Sequence, residues 1–329
     1  MIRYNLDVVV TRGGMCESRH RVHAAVVDAA GKLRAGAGDP ELVACWRSCA
    51  KPFQCMPLVE SGHFDRLAWG REELALACAS HGGEPEHVQL AAKMLASVGL
   101  EEGDLACGPH EPLSRRGARL HQQSGGRLTR LHNNCSGKHA AMLAFARSSG
   151  WPVLGYEQSD HPVQQHALEQ VARWSEVPRD EVHVATDGCG VSTFGCTLAG
   201  LARAFARLGA AALRGDDAPA RILAAMTSKP HLVGGTDRFD TVLMEETGGR
   251  LFAKVGSEGV HCVGVPGESL GIAVKVEDGS LRAQPPATLR LLQHLGALPP
   301  ELPPRLASFL RVPIQNTRSE VVGSVHPVE

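Results

Sequence analysis

Valine-rich runs open the chain. Residues 6–11 (LDVVVT) and 21–29 (RVHAAVVDA) are β-branched and partly alternating, and AAGKLRAG after them supplies turn residues and a return strand. Together they predict an N-terminal antiparallel meander. From Pro52 to Gly62 the apolar positions take helical spacing. REELALACAS (71–80) and GEPEHVQLAAKMLASVG (83–99) continue in that period, the second stopping at Gly99. Residues 100–131 are polar and loop-rich, whereas SGKHAAMLAFARSSG (136–150) is a helix bounded by Ser136 and Gly150. Further helices are expected at about 162–175, 197–209 and 217–228, with a short strand VHVAT (182–186) among them. The runs TVLMEET, RLFAKVGS, VHCVGVPG and SLGIAVKVED, separated by glycine-bearing turns, predict a second antiparallel meander. A helix at 286–296, a proline-rich turn (299–304) and the strand-like VPIQNTRSEVVGSV follow.

Strands at both ends around a helical middle define an α+β protein. The expectation is one antiparallel sheet flanked by helices, built from about 1–50 and 240–329, with a mostly helical lobe (about 51–235) inserted, all in a single domain 1–329. A chain of 329 residues can bury the core this requires.

Charge narrows the function. Thirty-four basic residues face 35 acidic ones, for a net charge of −1, so no field draws in nucleic acid or an anionic membrane. Aromatic content of 4% also argues against a base-stacking surface. The start, MIRYNLDVVVTRGG, has no apolar signal core, and no stretch approaches the roughly 20 apolar residues of a bilayer span. A cytoplasmic location is therefore expected. The ten cysteines are too sparse for a disulfide scaffold; reduced thiols, some available to a metal, fit that compartment.

Against this background a few short stretches carry chemistry. RSCAKPFQ (47–54) places Ser48 three residues before Lys51, one of only seven lysines. A serine hydroxyl attacks only once a base removes its proton, and a neutral lysine one helical turn away, on the same face, is such a base. Pro52 suits a helix start, where the dipole's positive end lowers a lysine pKa and favours an oxyanion. It also biases Lys51 away from helix. The match could equally be accidental, as short motifs often are. LACASHGGEPEH (76–87) sets Ser80 and His81 at a helix end before a glycine pair, and LFAKVGSEG (251–259) puts Lys254 ahead of Val-Gly on a strand. A helix cap and a solvent-facing strand lysine are the plain alternatives. In LHNNCSGKHAAML (131–143), Cys135, Lys138 and His139 gather at a helix start, and TDGCGVSTFGC (186–196) holds Cys189 between glycines. Two thiolates and a nitrogen suit zinc, while buried cysteines acting as small apolar residues explain the same pattern.

Taken together, SCAKPFQ, CASHGGEPEH, HNNCSGKHAAML, TDGCGVSTFGCTLAGLA, GGTDRFDT and AKVGSEGVHCVGV resemble the Rhizobium etli type of L-asparaginase, a class unrelated to the threonine-nucleophile enzymes. The likeness runs in order over nearly the whole chain. It departs at Gly83, where serine is more usual, and at Gly234, where alanine is. The resemblance implies two serine–lysine pairs, Ser48 with Lys51 and Ser80 with Lys254, and a zinc held by Cys135, Cys189 and the amine of Lys138. It further implies the fold of serine β-lactamases and glutaminases, and a homodimer. The activity expected is hydrolysis of L-asparagine to L-aspartate and ammonia through an acyl-enzyme on Ser48. For the substrate, Arg47 is expected to hold the α-carboxylate, Asp187 the ammonium or a zinc-bound water, and Asn133 and Asn134 the amide. Two other readings compete: an esterase or β-lactam hydrolase of the same fold, and a non-catalytic protein that binds zinc and an amino acid.

Overall fold

The second valine run forms the middle of a six-stranded sheet. In a computed structural model describing residues 1–328, the strands lie in the order Ile2–Tyr4, Leu33–Ala37, Val22–Asp28, Leu270–Val276, Val260–Val265 and Phe252–Val255. All pairs are antiparallel except the first, where Ile2 sits parallel to Ala35. N- and C-terminal parts of the chain meet at the centre, with Val22 opposite Val276 and Asp28 opposite Leu270. Strands that are buried almost throughout, such as Val260–Val265, require cover, and β-branched residues suit that pleated interior. The helix Gln284–His294 packs on strands of this sheet. Against Gly271 the helix Leu198–Arg214 comes so close that a Cβ there would lie 1.9 Å from the Ala202 carbonyl oxygen. Only glycine permits that approach.

The first valine run does not join this sheet. Val8–Arg12 pairs with Met15–His20 on one side and with Val321–Pro327 on the other, and Val312–Gln315 completes a separate four-stranded antiparallel sheet. The single sheet expected from both termini is thus two sheets, each combining N- and C-terminal strands. TVLMEET is also corrected. It lies in the helix Phe239–Glu246, where Phe239, Val242 and Leu243 recur at i, i+3 and i+4 and are all buried. The loop-rich stretch hides a helix, Arg115–Ser124, capped by the Ser114 hydroxyl accepting from the Gly117 N–H.

Contacts divide the chain into two compact units. The first comprises Met1–Cys49, Cys196–Ala210 and the chain from Ala253 on, and contains both sheets. The second, Ala50–Gly195 with Ala211–Phe252, is mostly helical. Its helices include Lys51–Glu60, Arg71–Ala77, Pro85–Ser97 and Ser136–Ser148, the last buried without a break from Ser136 to Ala146. The mixed α+β class with antiparallel sheets and helices is as expected. Among the described residues no helix is long and apolar enough to cross a membrane.

Candidate active site

A 3-10 turn Arg47–Ala50 leads straight into the helix Lys51–Glu60. Pro52 stands in the first helical turn, where a missing N–H costs nothing, and Lys51 is helical despite the proline after it. Ser48 and Lys51 are therefore separated by one turn of continuous helix. Arg47 takes a left-handed conformation (φ 47°), rare for a residue with a side chain, so the backbone bends sharply just before Ser48. Lys254 is fully buried on its strand, which excludes the solvent-facing alternative. Its Nζ donates to the Val255 carbonyl at 2.8 Å, and its own carbonyl accepts from the Cys49 thiol at 3.0 Å. That contact brings the turn carrying Ser48 beside the strand carrying Lys254.

In the second unit, Lys51 is 1% exposed. Its Nζ donates to the Ala79 carbonyl at 2.5 Å and to the Ser80 hydroxyl at 3.0 Å. Ser80 lies three residues past the end of Arg71–Ala77, with its N–H on the Val233 carbonyl at 3.0 Å. The lysine one turn along from Ser48 thus bonds the second serine of the sequence pattern.

Beside this pair the sulfur and nitrogen groups converge. Lys138 Nζ lies 3.0 Å from Cys189 Sγ. The Cys135 thiol donates to the Cys189 sulfur and, with Lys138 beside it, holds Cys189 as a thiolate, its pKa brought down to about 5 against the effect of burial. Cys135 keeps its proton for the same reason: that bond and burial push it up to about 12. Burial alone would lower the Lys138 pKa, but the charges of Cys189, Cys135 and Asp187 raise it above the ordinary lysine value. The Cys135 thiol and the Lys138 ammonium both bond the Cys189 sulfur here. Asp187 Oδ2 stands 3.8 Å from Cys189 Sγ, at the start of the tight turn that presents the cysteine.

These donors fit a zinc ion: two sulfurs and a nitrogen, buried and convergent, which a borderline-soft cation favours over the two protons that Cys135 and Lys138 hold. Among the described residues no three His, Cys, Asp or Glu side chains form such a group, so the amine of Lys138 is essential to the set.

The two asparagines do less than expected of them. Asn133 bonds the Gly108 carbonyl through Nδ2 (2.8 Å) and accepts from the Cys135 N–H through Oδ1 (2.9 Å). Both ends of its amide are thereby occupied in holding the turn before Ser136–Ser148. The Asn134 Oδ1 lies 3.1 Å from the Cys135 sulfur.

Sequence reasoning missed several neighbours. Glu84, in GGEPEH, is a buried carboxylate; burial would raise its pKa, but hydrogen bonds from Thr236, Ser114 and Arg116 outweigh that and hold it at about 2. His139 is fully buried with Nδ1 2.5 Å from the Tyr156 hydroxyl, and burial beside Lys138 lowers its pKa to about 3. The Cys107 thiol is pushed up to about 12 by burial and by the charges of Cys135 and Cys189. Glu84 and Cys107 did not stand out, because a buried polar residue looks like a surface one until its neighbours are known, whereas the sequence already places His139 with Cys135 and Lys138 at the helix start.

The second unit thus buries a lysine against a serine hydroxyl, with the Cys135, Lys138 and Cys189 cluster in the same unit. The chain belongs to the L-asparaginase II family, whose model matches residues 8–327. No curated protein matches it. Among solved structures it is similar to Mglu in its native form, at 16% identity and a TM-score of 0.47, covering 84% of this chain but only 65% of that one. A β-lactamase from Mycobacterium bovis matches at 14% identity and a TM-score of 0.35, covering 83% of this chain and 94% of the other. A probable glutaminase from Bacillus subtilis, complexed with 6-diazo-5-oxo-L-norleucine, matches at 15% identity and 0.34, covering 84% and 83%.

Proposed function

We propose that the chain hydrolyses L-asparagine to L-aspartate and ammonia, with Ser48 as nucleophile. The observation that carries this reading is the buried Lys51 Nζ 3.0 Å from the Ser80 hydroxyl, one helical turn along the chain from Ser48. In its amine form Lys51 takes the Ser48 proton as the oxygen attacks the carboxamide carbon. The oxyanion is stabilised at the start of the helix, where backbone N–H groups lack partners. Collapse breaks the C–N bond, and a proton passed through Ser80 leaves with ammonia. Water then attacks the ester, giving its proton back through the same groups, and aspartate departs. Lys254, whose carbonyl bonds the thiol next to Ser48, is assigned with Ser80 to relay protons to the leaving ammonia and to activate the deacylating water. Arg47 is assigned the substrate α-carboxylate, Asp187 the ammonium end, and Asn134 the amide. Cys135, Cys189 and Lys138 would hold zinc. When bound, the ion supplies a Lewis-acid charge beside the substrate. The assembly implied is a homodimer.

Ser48→Ala should abolish ammonia release from asparagine, and Lys51→Ala should lower kcat by at least about 10²-fold, the usual size of a lost general base. Mass spectrometry after trapping with a reactive asparagine analogue should map the adduct to Ser48. Near-normal turnover by Ser48→Ala, or an adduct elsewhere, would reject Ser48 as the nucleophile.

A further inference from the structure

His81 follows Ser80 directly and is wholly buried. Its backbone N–H bonds the Asn134 carbonyl at 3.2 Å, so the chain around Ser80 is laid against the turn that precedes Ser136–Ser148. The ring repeats that connection with a defined direction. The Gly83 N–H lies 3.2 Å from His81 Nδ1, and a backbone N–H can only donate, so Nδ1 must be bare. The ring proton is then on Nε2, 2.9 Å from the Ser136 hydroxyl. Ser136 in turn donates to the Leu131 carbonyl at 3.0 Å, which leaves its oxygen free to accept. The three bonds run one way: Gly83 to His81, His81 to Ser136, Ser136 to Leu131. Reversing any one leaves two donors facing each other in a buried space.

Two further observations support a fixed neutral ring. His87 stacks on His81 at 5.0 Å with only 12° between planes. It is held in the same manner, accepting from the Glu84 N–H and donating to the His231 carbonyl. Burial above all, with His87 and Lys51 close by, keeps the His81 pKa well below the usual histidine value. The ends of the relay are the informative part. One adjoins Ser80, which bonds Lys51; the other is Ser136, set between Cys135 and Lys138 in the chain.

We propose that His81 is a positioning residue, its single tautomer fixing the Ser80 hydroxyl relative to the turn that carries Cys135 and Lys138. It touches no substrate and exchanges no proton. Its effect is on the geometry of both groups at once, as with outer partners of metal ligands, whose loss commonly lowers affinity or activity about 10–100-fold. The catalytic half of this inference rests on the asparaginase reading; the geometric half does not.

Glutamine and asparagine substitutions separate the two ring nitrogens. His81→Gln can present an N–H near the Nε2 position, whereas His81→Asn presents only an acceptor near Nδ1. With asparagine as substrate, His81→Asn should lose at least about tenfold in kcat with KM within about twofold, while His81→Gln stays within about threefold of wild type. Zinc affinity, read by chelator competition without substrate, should fall about tenfold for Asn and be kept by Gln. Ser136→Ala removes the same bond from the other side and should match His81→Asn, which covers the case in which that variant does not fold. Equal losses in Gln and Asn, or none in Asn, overturn the proposal, since the ring would then merely fill space. If wild type releases no ammonia from asparagine, the asparaginase reading fails but the tautomer can still be read from imidazole ¹⁵N shifts. An Nε2–H ring from pH 8 to 5 is expected there, and an Nδ1–H or protonated ring rejects the inference.

Discussion

Ser48, Lys51, Cys135, Lys138 and Cys189 could be picked out because few lysines and cysteines occur and each sits in a motif, but their protonation could not. Whether Cys189 is a thiolate depends on the Cys135 proton and the Lys138 charge reaching it across 51 residues or more of chain. Glu84 shows the same limit and offers a test. Its carboxyl is held at about 2 by the bonds from Thr236, Ser114 and Arg116, below the 4.5 of a free glutamate. A depressed carboxylate contributes stability that is fully present above about pH 4.5 and is lost as pH falls toward 2. Urea melts should therefore show Glu84→Gln less stable than wild type by about 3 kcal/mol at pH 7, the gap closing as pH falls below 4. A gap independent of pH would assign the loss to packing instead. Gly83 is another residue-scale departure with a visible cause: its φ of +69° is left-handed, and a Cβ would meet Pro112 at 2.9 Å. The serine usual in the resembling family would be strained here.

At the scale of elements, periodicity was informative where one face alone decides burial. The helices at 162–175 and 217–228 stand where their apolar spacing put them. TVLMEET misled because a β-branched start counts toward a strand, and because every residue from Phe239 to Met244 is buried, so no polar face marks the helix. Intrinsic preference is weak beside such tertiary burial. Helix-on-sheet contact yields a sharper expectation. Gly271→Ala would drive a methyl group into the Ala202 carbonyl at 1.9 Å, with the Ala206 N at 2.3 Å. Overpacking against backbone should cost about 1–3 kcal/mol or prevent folding. Gly267→Ala has open space at Cβ and should stay within about 0.5 kcal/mol. Thermal melts of the two variants side by side check this; equal melting points would mean the helix can move away without cost.

For the whole molecule, the metal expectation has a thermodynamic consequence. Cys135 and Cys189 lie on separate segments, so an ion binding both would stabilise the folded second unit against the unfolded chain. Zinc in thousandfold excess over its Kd should add about 4 kcal/mol, lost on chelation and weakened by Lys138→Ala. Elemental analysis near one zinc per chain, with a melting point that falls on chelator addition, is the expected result; an unchanged melting point leaves the three side chains as a hydrogen-bonded cluster. The sequence by itself determined the α+β class, most of the helices and the short list of reactive side chains, since these follow from local periodicity and from scarce residue types. Only the tertiary structure decided that the termini make two sheets, that Lys51 bonds Ser80, and that Glu84 and His81 are locked beneath the site. Each of those depends on which distant segments meet, and hydrogen bonding and burial between such segments leave no period along the chain.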